Sequence, residues 1–92
     1  MGYYTDFEVD IVGDGKEDAL ATLVNISGYS WYGNYLSDAK WYNWVEDLEK
    51  VSRMHPDCKF TLNGVGEDHP DIWQATAMNG VVIKKNATIS FT

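Results

Sequence analysis

Two separate stretches of the chain alternate apolar and polar residues with a period of two, and this limits the fold more than any other feature. Residues 4–12 place Phe7, Val9 and Ile11 on one side of an extended chain and Asp6, Glu8 and Asp10 on the other. Residues 58–65 repeat the pattern, with Cys58, Phe60 and Leu62 opposed to Lys59, Thr61 and Asn63. Successive side chains of a strand point to opposite faces, so each stretch predicts a strand with one dry and one wet side. A further strand is expected over 72–78. It runs into Asn79-Gly80, a pair suited to the two positive-φ positions of a tight hairpin turn. A two-residue turn there pairs Met78 with Val81 and Thr76 with Ile83, and the return strand is expected to begin at Val81 and run towards Phe91.

Two segments carry helical signals. Asp14, three residues before Glu17, has capping-box spacing, and Ala19, Leu20, Leu23, Val24 and Ile26 form an apolar stripe that Gly28 can stop. Asn43 and Glu46 repeat the spacing, and Trp44, Leu48, Val51 and His55 follow helical periodicity until Pro56. Residues 29–36 read as a loop or a short irregular strand, and residues 37–42 as an extended stretch with Ala39 and Trp41 on one side. The order strand, helix, strand, helix, then two or three strands predicts an α+β domain. The expected architecture is a four- to five-stranded mixed sheet with two helices on one face, loosely ferredoxin-like, over residues 1–92 as one domain.

With 92 residues, the chain suffices for one core, and its four Trp, six Tyr and three Phe supply large buried areas per residue. The formal charge of −7, with scattered Lys and Arg, argues against direct nucleic-acid binding. No apolar run approaches the roughly 20 residues that span a bilayer. The start of the chain has neither a basic segment nor an apolar signal core. With Cys58 as its single cysteine, this predicts a cytoplasmic protein without disulfides and without a membrane partner.

Catalytic motifs are missing. No Ser sits in a Gly-x-Ser-x-Gly elbow, and Gly13-Asp14-Gly15-Lys16 lacks the spacing and the hydroxyl residue of a phosphate loop. In His55-Pro56-Asp57-Cys58, the thiol alternates onto the apolar side of its strand, where it is expected to be packing. Glu67-Asp68-His69-Pro70-Asp71 offers oxygen and nitrogen ligands. The same residues also serve turn chemistry, and His55, His69 and Cys58 supply a zinc site poorly. The expectation is no metal and no cofactor, and it leans away from an enzyme without closing that class.

Two features point to contact with a partner. Tyr29, Trp31, Tyr32, Tyr35, Trp41, Tyr42 and Trp44 crowd seven rings into 16 residues. Trp41 and Trp44 read as core, whereas Trp31, Tyr32 and Tyr35 read as amphipathic anchors of the kind found at interfaces. Asp6, Glu8 and Asp10 place carboxylates roughly 7 Å apart along one strand face, and Asp14, Glu17 and Asp18 continue the acidic run. Such a row either is a solvated strand face or complements a basic surface, such as that of a protein which itself binds nucleic acid.

Met1-Gly2-Tyr3-Tyr4-Thr5-Asp6, then Lys40-Trp41-Tyr42 leading to Glu46-Asp47-Leu48, then Phe60-Thr61-Leu62-Asn63-Gly64-Val65-Gly66-Glu67-Asp68 followed by Asp71-Ile72-Trp73, together resemble small bacteriophage or prophage proteins. The resemblance spans about the whole chain. It implies a phage origin, and with it residence in a host bacterial cytoplasm, rather than an activity. Ala77-Met78-Asn79-Gly80 departs from the more aromatic and basic strand end of that pattern. The functional expectation is a non-enzymatic protein, such as an inhibitor, that binds and modulates a host macromolecule. Two alternatives stand beside it. One is a small-molecule binder or modest enzyme with a pocket between the 29–44 aromatics and the 64–71 loop. The other is a self-assembling protein, monomeric or a small homo-oligomer.

Overall fold

The computed structural model describes residues 4–67 and 71–86. Its elements are β1 (Thr5–Gly13), α1 (Lys16–Ser27), β2 (Tyr35–Ala39), α2 (Trp44–Met54), β3 (Cys58–Gly66), β4 (Ile72–Met78) and β5 (Val81–Asn86). They build one five-stranded sheet in the order β2-β1-β3-β4-β5, with α1 and α2 packed together against one face.

The α+β class and the two-helix layer agree with expectation, but the sheet is not mixed. Every neighbouring pair is antiparallel, and this strand order is not the ferredoxin-like one. The reason lies in the first helix. After β1, the 12 residues of α1 carry the chain about 18 Å back along the sheet, to the level of Glu8. There β2 begins, with Tyr35 opposite Glu8, and continues in the same direction to Ala39 opposite Thr5. A parallel β2 would require the chain to turn back once more.

Strand β2 also differs from the extended 37–42 segment expected. It starts at Tyr35 and ends before Trp41. Its two inward residues, Leu36 and Ala39, are three apart, which strict alternation forbids. A bulge reconciles them. The β1–β2 register shifts between Thr5 and Phe7, and Asp38 takes a φ of 51° while its N–H donates to Asp6 Oδ1 at 2.8 Å.

Neither capping box forms. The N-cap of α1 is Gly15, in the left-handed region, and Asn43 caps α2 without a side-chain hydrogen bond. Asp14 instead lends its carbonyl to the Cys58 thiol at 3.1 Å. Glu17, Asp18, Glu46 and Asp47 still place negative charge in the first helical turns, where the helix dipole favours it.

The core follows the alternation closely. Phe7, Val9, Phe60, Leu62, Ala75 and Ala77 point from the sheet to Leu23, Leu48 and Val51 on the helices. Ile11, Leu20 and Ile26 pack against its margin. The hairpin forms as expected: Asn79 and Gly80 have φ of 49° and 85°, the mark of a type I′ turn, and Met78 faces Val81. Ser52, wholly buried on α2, accepts the Gly80 N–H at 2.8 Å and donates to the Glu49 carbonyl at 3.0 Å, tying helix to turn. The expected continuation of the return strand to Phe91 lies outside the described residues.

At the end of the sheet where β1 starts and β3 ends, the inward position of β3 is Gly64, flanked by Phe7 on β1 and Trp73 on β4. The Trp73 indole occupies the room a side chain would take, so a Cβ at Gly64 would meet its ring carbons Cε2 and Cζ2. Gly64→Ala should therefore destabilise the fold by about 1–3 kcal/mol through overpacking. In the Trp73→Leu background the same change should cost clearly less, because the clash is with that ring. Urea unfolding of the four proteins measures both, and equal costs in the two backgrounds would refute this packing.

Candidate functional site

The face of the sheet away from the helices is uncovered among the described residues. Across it runs the row Tyr35, Glu8, Asn63, Gln74 and Lys85, one residue from each strand in β2-to-β5 order. Gln74 Nε2 donates to Asn63 Oδ1 at 2.9 Å in the middle of the row. Carboxylates thus collect on β1 and Lys85 stands on β5, with neutral amides, Thr61, Thr76 and, towards the far end of β3 opposite Val12, Lys59 between them.

Asp6, Glu8 and Asp10 all lie on this face. Glu8 and Asp10 are exposed, and Asp6 is half-buried beside β2. Tyr35 is outward on the same face, and Tyr32 stands at the opening of a tight turn closed by paired backbone hydrogen bonds between Tyr32 and Tyr35 at 2.8 and 2.9 Å. The turn is fastened to β1 by the Val9 N–H donating to the Asn34 carbonyl and the Asn34 Nδ2 donating to the Val9 carbonyl. Tyr32 is 88% exposed. Five of the six residues singled out from the sequence therefore converge on one edge of the sheet, two tyrosines next to three carboxylates.

Trp31 is set apart from them. Its indole N–H donates to Ser27 Oγ at 2.9 Å, and its ring meets Trp41 edge-on at 5.7 Å between centroids. It closes the end of the core instead of standing out from it. Asp14, Glu17 and Asp18 are exposed at the far end of β1, around the start of α1, and do not lengthen the acidic row.

Tyr35 has a perturbed hydroxyl. Desolvation raises its pKa most, followed by the charge of Asp6, a hydrogen bond with that carboxylate and the charge of Asp38, while a hydrogen bond with Ser37 pulls the other way. A neutral phenol can donate to Asp6 and a phenolate cannot, so the contact holds the proton on Tyr35.

The sequence did not reveal how the remaining rings organise. Trp41, Phe7, Trp73 and Trp44 form a chain of contacts: Phe7 is edge-on to Trp41 at 5.1 Å and to Trp73 at 5.9 Å, and Trp44 stacks on Trp73 at 4.4 Å. Trp41 Nε1 donates to Asp47 Oδ2 at 2.7 Å, and the Lys84 ammonium lies 5.3 Å from the Trp73 centroid, a cation–π contact. Beside the cluster is a cleft of about 180 Å³, lined by Thr5, Trp41, Tyr42, Trp44, Asp71 and Lys84 among others. Of the residues named for a pocket between the 29–44 aromatics and the 64–71 loop, Trp41, Tyr42, Trp44 and Asp71 line it. Trp41 and Trp73 are nearly wholly buried, so their rings are spent on one another more than on the opening.

Of the acidic loop, Asp68, His69 and Pro70 lie outside the described residues. Glu67 exchanges two hydrogen bonds with Tyr4, through its carboxylate and its backbone N–H. Among the described residues, no three His, Cys, Asp or Glu side chains converge as metal ligands would. Cys58 is fully buried. His55 Nε2 lies 3.0 Å from Thr22 Oγ1. That hydroxyl's one proton goes to the Asp18 carbonyl, so His55 is the donor. No family model, curated protein or solved structure matches the chain.

A titration tests the Tyr35–Asp6 contact. With its folded pKa above the unfolded value, Tyr35 contributes stability that is full below the ordinary tyrosine pKa of about 10 and is lost as pH rises through the folded value. Ring-labelled NMR should show Tyr35 titrating above the ordinary tyrosine value, and Asp6→Asn should bring it down. Coincident titration of Tyr35 in the two proteins would refute the contact.

Proposed function

We propose that this chain is a non-enzymatic binding protein that docks a basic protein surface against the edge formed by Tyr32, Tyr35, Asp6, Glu8 and Asp10. The observation that carries the reading is the convergence of two outward tyrosines with three carboxylates on one rigid strand edge. Rigid rings supply contact area at low entropic cost, and the carboxylates steer and orient a positively charged partner. Trp31, buttressed by Ser27 and Trp41, supports the turn that presents Tyr32 and Tyr35. In keeping with the phage-type resemblance, the partner is a host macromolecule in the bacterial cytoplasm, one whose own basic surface serves nucleic acid, and binding modulates its activity.

A small-ligand reading has one observation in its favour, the cleft beside Trp44 and Asp71. Its rings are already engaged with each other, so it offers less free contact surface than the tyrosine edge, and the protein-binding reading is preferred.

Capture from bacterial lysate with the tagged protein, followed by binding kinetics on the captured target, tests the proposal. The Tyr32→Ala, Tyr35→Ala double variant should lose roughly tenfold or more in affinity. An Asp6→Lys, Glu8→Lys variant should slow association, and raised salt should slow association of the wild type but have less effect on this variant. Full retention of a specific target by both variants would place the interface elsewhere.

A further inference from the structure

The opposite edge of the sheet has its own chemistry. β5 is an edge strand, and its type I′ turn sets which of its backbone groups are used. A two-residue turn makes Met78–Val81 a hydrogen-bonded pair. The alternation of an antiparallel ladder then makes Thr76–Ile83 and Gln74–Lys85 hydrogen-bonded pairs as well. The N–H and C=O groups of Val82 and Lys84 fall at the intervening pairs and point away from β4. The opposite edge, β2, is blunted by its bulge and by the left-handed Asp38. β5 has no bulge, no proline and no positive φ among its residues.

The side chains along β5 define what would fit there. Val81 and Ile83, 62% and 55% exposed, form an apolar pair on the uncovered face, next to Met78 at 52%. Lys85 follows them on that face, opposite Gln74, whose amide is committed to Asn63. Lys84 lies on the helix side, over the Trp73 ring. Among the described residues, a chain of net charge −7 therefore ends its sheet in two adjacent lysines beside a row of backbone groups that point away from β4.

We propose that β5 is a strand-addition site for an acidic extended peptide segment of a partner protein. The segment would run antiparallel to β5, with carboxylates facing Lys85 and Lys84 and apolar residues facing Ile83 and Val81. Main-chain hydrogen bonds to Val82 and Lys84 supply affinity, and the side-chain alternation supplies selectivity. Charge complementarity singles out this occupant. A second copy of β5 brings only more lysines to the edge, whereas an acidic strand brings the opposite charge to both. The site is on the opposite edge from Tyr32 and Tyr35, so it stands or falls independently of the function proposed above.

The test uses the full-length ¹⁵N-labelled protein and the capped peptide Glu-Glu-Val-Thr-Val, written so that its first two residues face Lys85 and Lys84. In the free protein, the Val82 and Lys84 amides should exchange with solvent faster than those of Val81 and Ile83. The peptide should shift and protect them, with saturable binding. Replacing both Glu by Lys in the peptide should weaken binding roughly tenfold or more, as should Lys84→Glu, Lys85→Glu in the protein. N-methylation of the second Glu and the Thr, the residues opposite Lys84 and Val82, should abolish it. Unmoved Val82 and Lys84 amides at millimolar peptide would overturn the proposal, as would equal binding of the acidic and basic peptides. Protection of those amides in the free protein together with a dimer by light scattering would assign the edge to a second copy instead, and would also overturn it.

Discussion

Trp73 lying across Gly64 is the contact on which the rest of the molecule depends. Because β3 has no side chain at that point, the indole can settle onto the sheet, and its position determines where Phe7, Trp44 and, through Phe7, Trp41 can go. Trp44 opens α2, and Trp41 is bonded to Asp47 in the first turn of the same helix, so the cluster fixes where α2 begins. At the other end of that helix, Ser52 holds the hairpin turn. The two attachments set the helix over β3, β4 and β5, and the small residues Ala75 and Ala77 allow it to lie close. Aromatic contacts of this kind add to simple area burial and also restrict geometry. A domain of this size benefits from that, since a small core leaves little margin above the entropy of ordering the chain.

Much of the fold was legible because alternation and turn chemistry are local. β1, β3 and the β4–β5 hairpin could be read from residues two apart and from Asn79-Gly80. The features that were not legible depend on distant partners. β2 was misplaced because its inward residues are three apart, and the bulge that permits this is held by Asp6, far away in sequence. The first capping box failed because the helix starts one residue after Asp14, at a left-handed glycine, and at the second Asn43 keeps the N-cap position without its side-chain hydrogen bond. The antiparallel course of β2 follows from the length of α1 measured against β1, which only three-dimensional bookkeeping reveals.

The same division applies to the candidate site. The exposure of Tyr32 and Tyr35 and the outward row of Asp6, Glu8 and Asp10 could be read from spacing, but their adjacency could not. Trp31 has the same local surroundings as Tyr32, yet it turns inward to Ser27 and Trp41. Neighbouring residues on an extended chain must diverge, and the sequence alone does not say which of the two goes in. The distance between the β1 carboxylates and Lys85 across the open face is likewise a product of strand order. The end of β1 at Gly13 and the start of β5 at Val81 are 68 positions apart in sequence, and only the sheet sets one near each edge.

The tie between Gly80 and Ser52 has a consequence for how the molecule ages. Asn-Gly bonds are prone to deamidation, in which the glycine nitrogen attacks the preceding side-chain carbonyl to form a succinimide. The chain contains two such bonds, Asn63-Gly64 and Asn79-Gly80. In the folded protein the Gly80 nitrogen is engaged by the Ser52 hydroxyl, and Asn63 is held in the β3 ladder with its carbonyl oxygen bonded to Gln74. Both nucleophile and electrophile are thereby kept from the cyclic geometry the reaction needs. Chemical shelf life and folding are thus linked: each molecule is exposed to this damage chiefly during the intervals in which α2 or the sheet has opened.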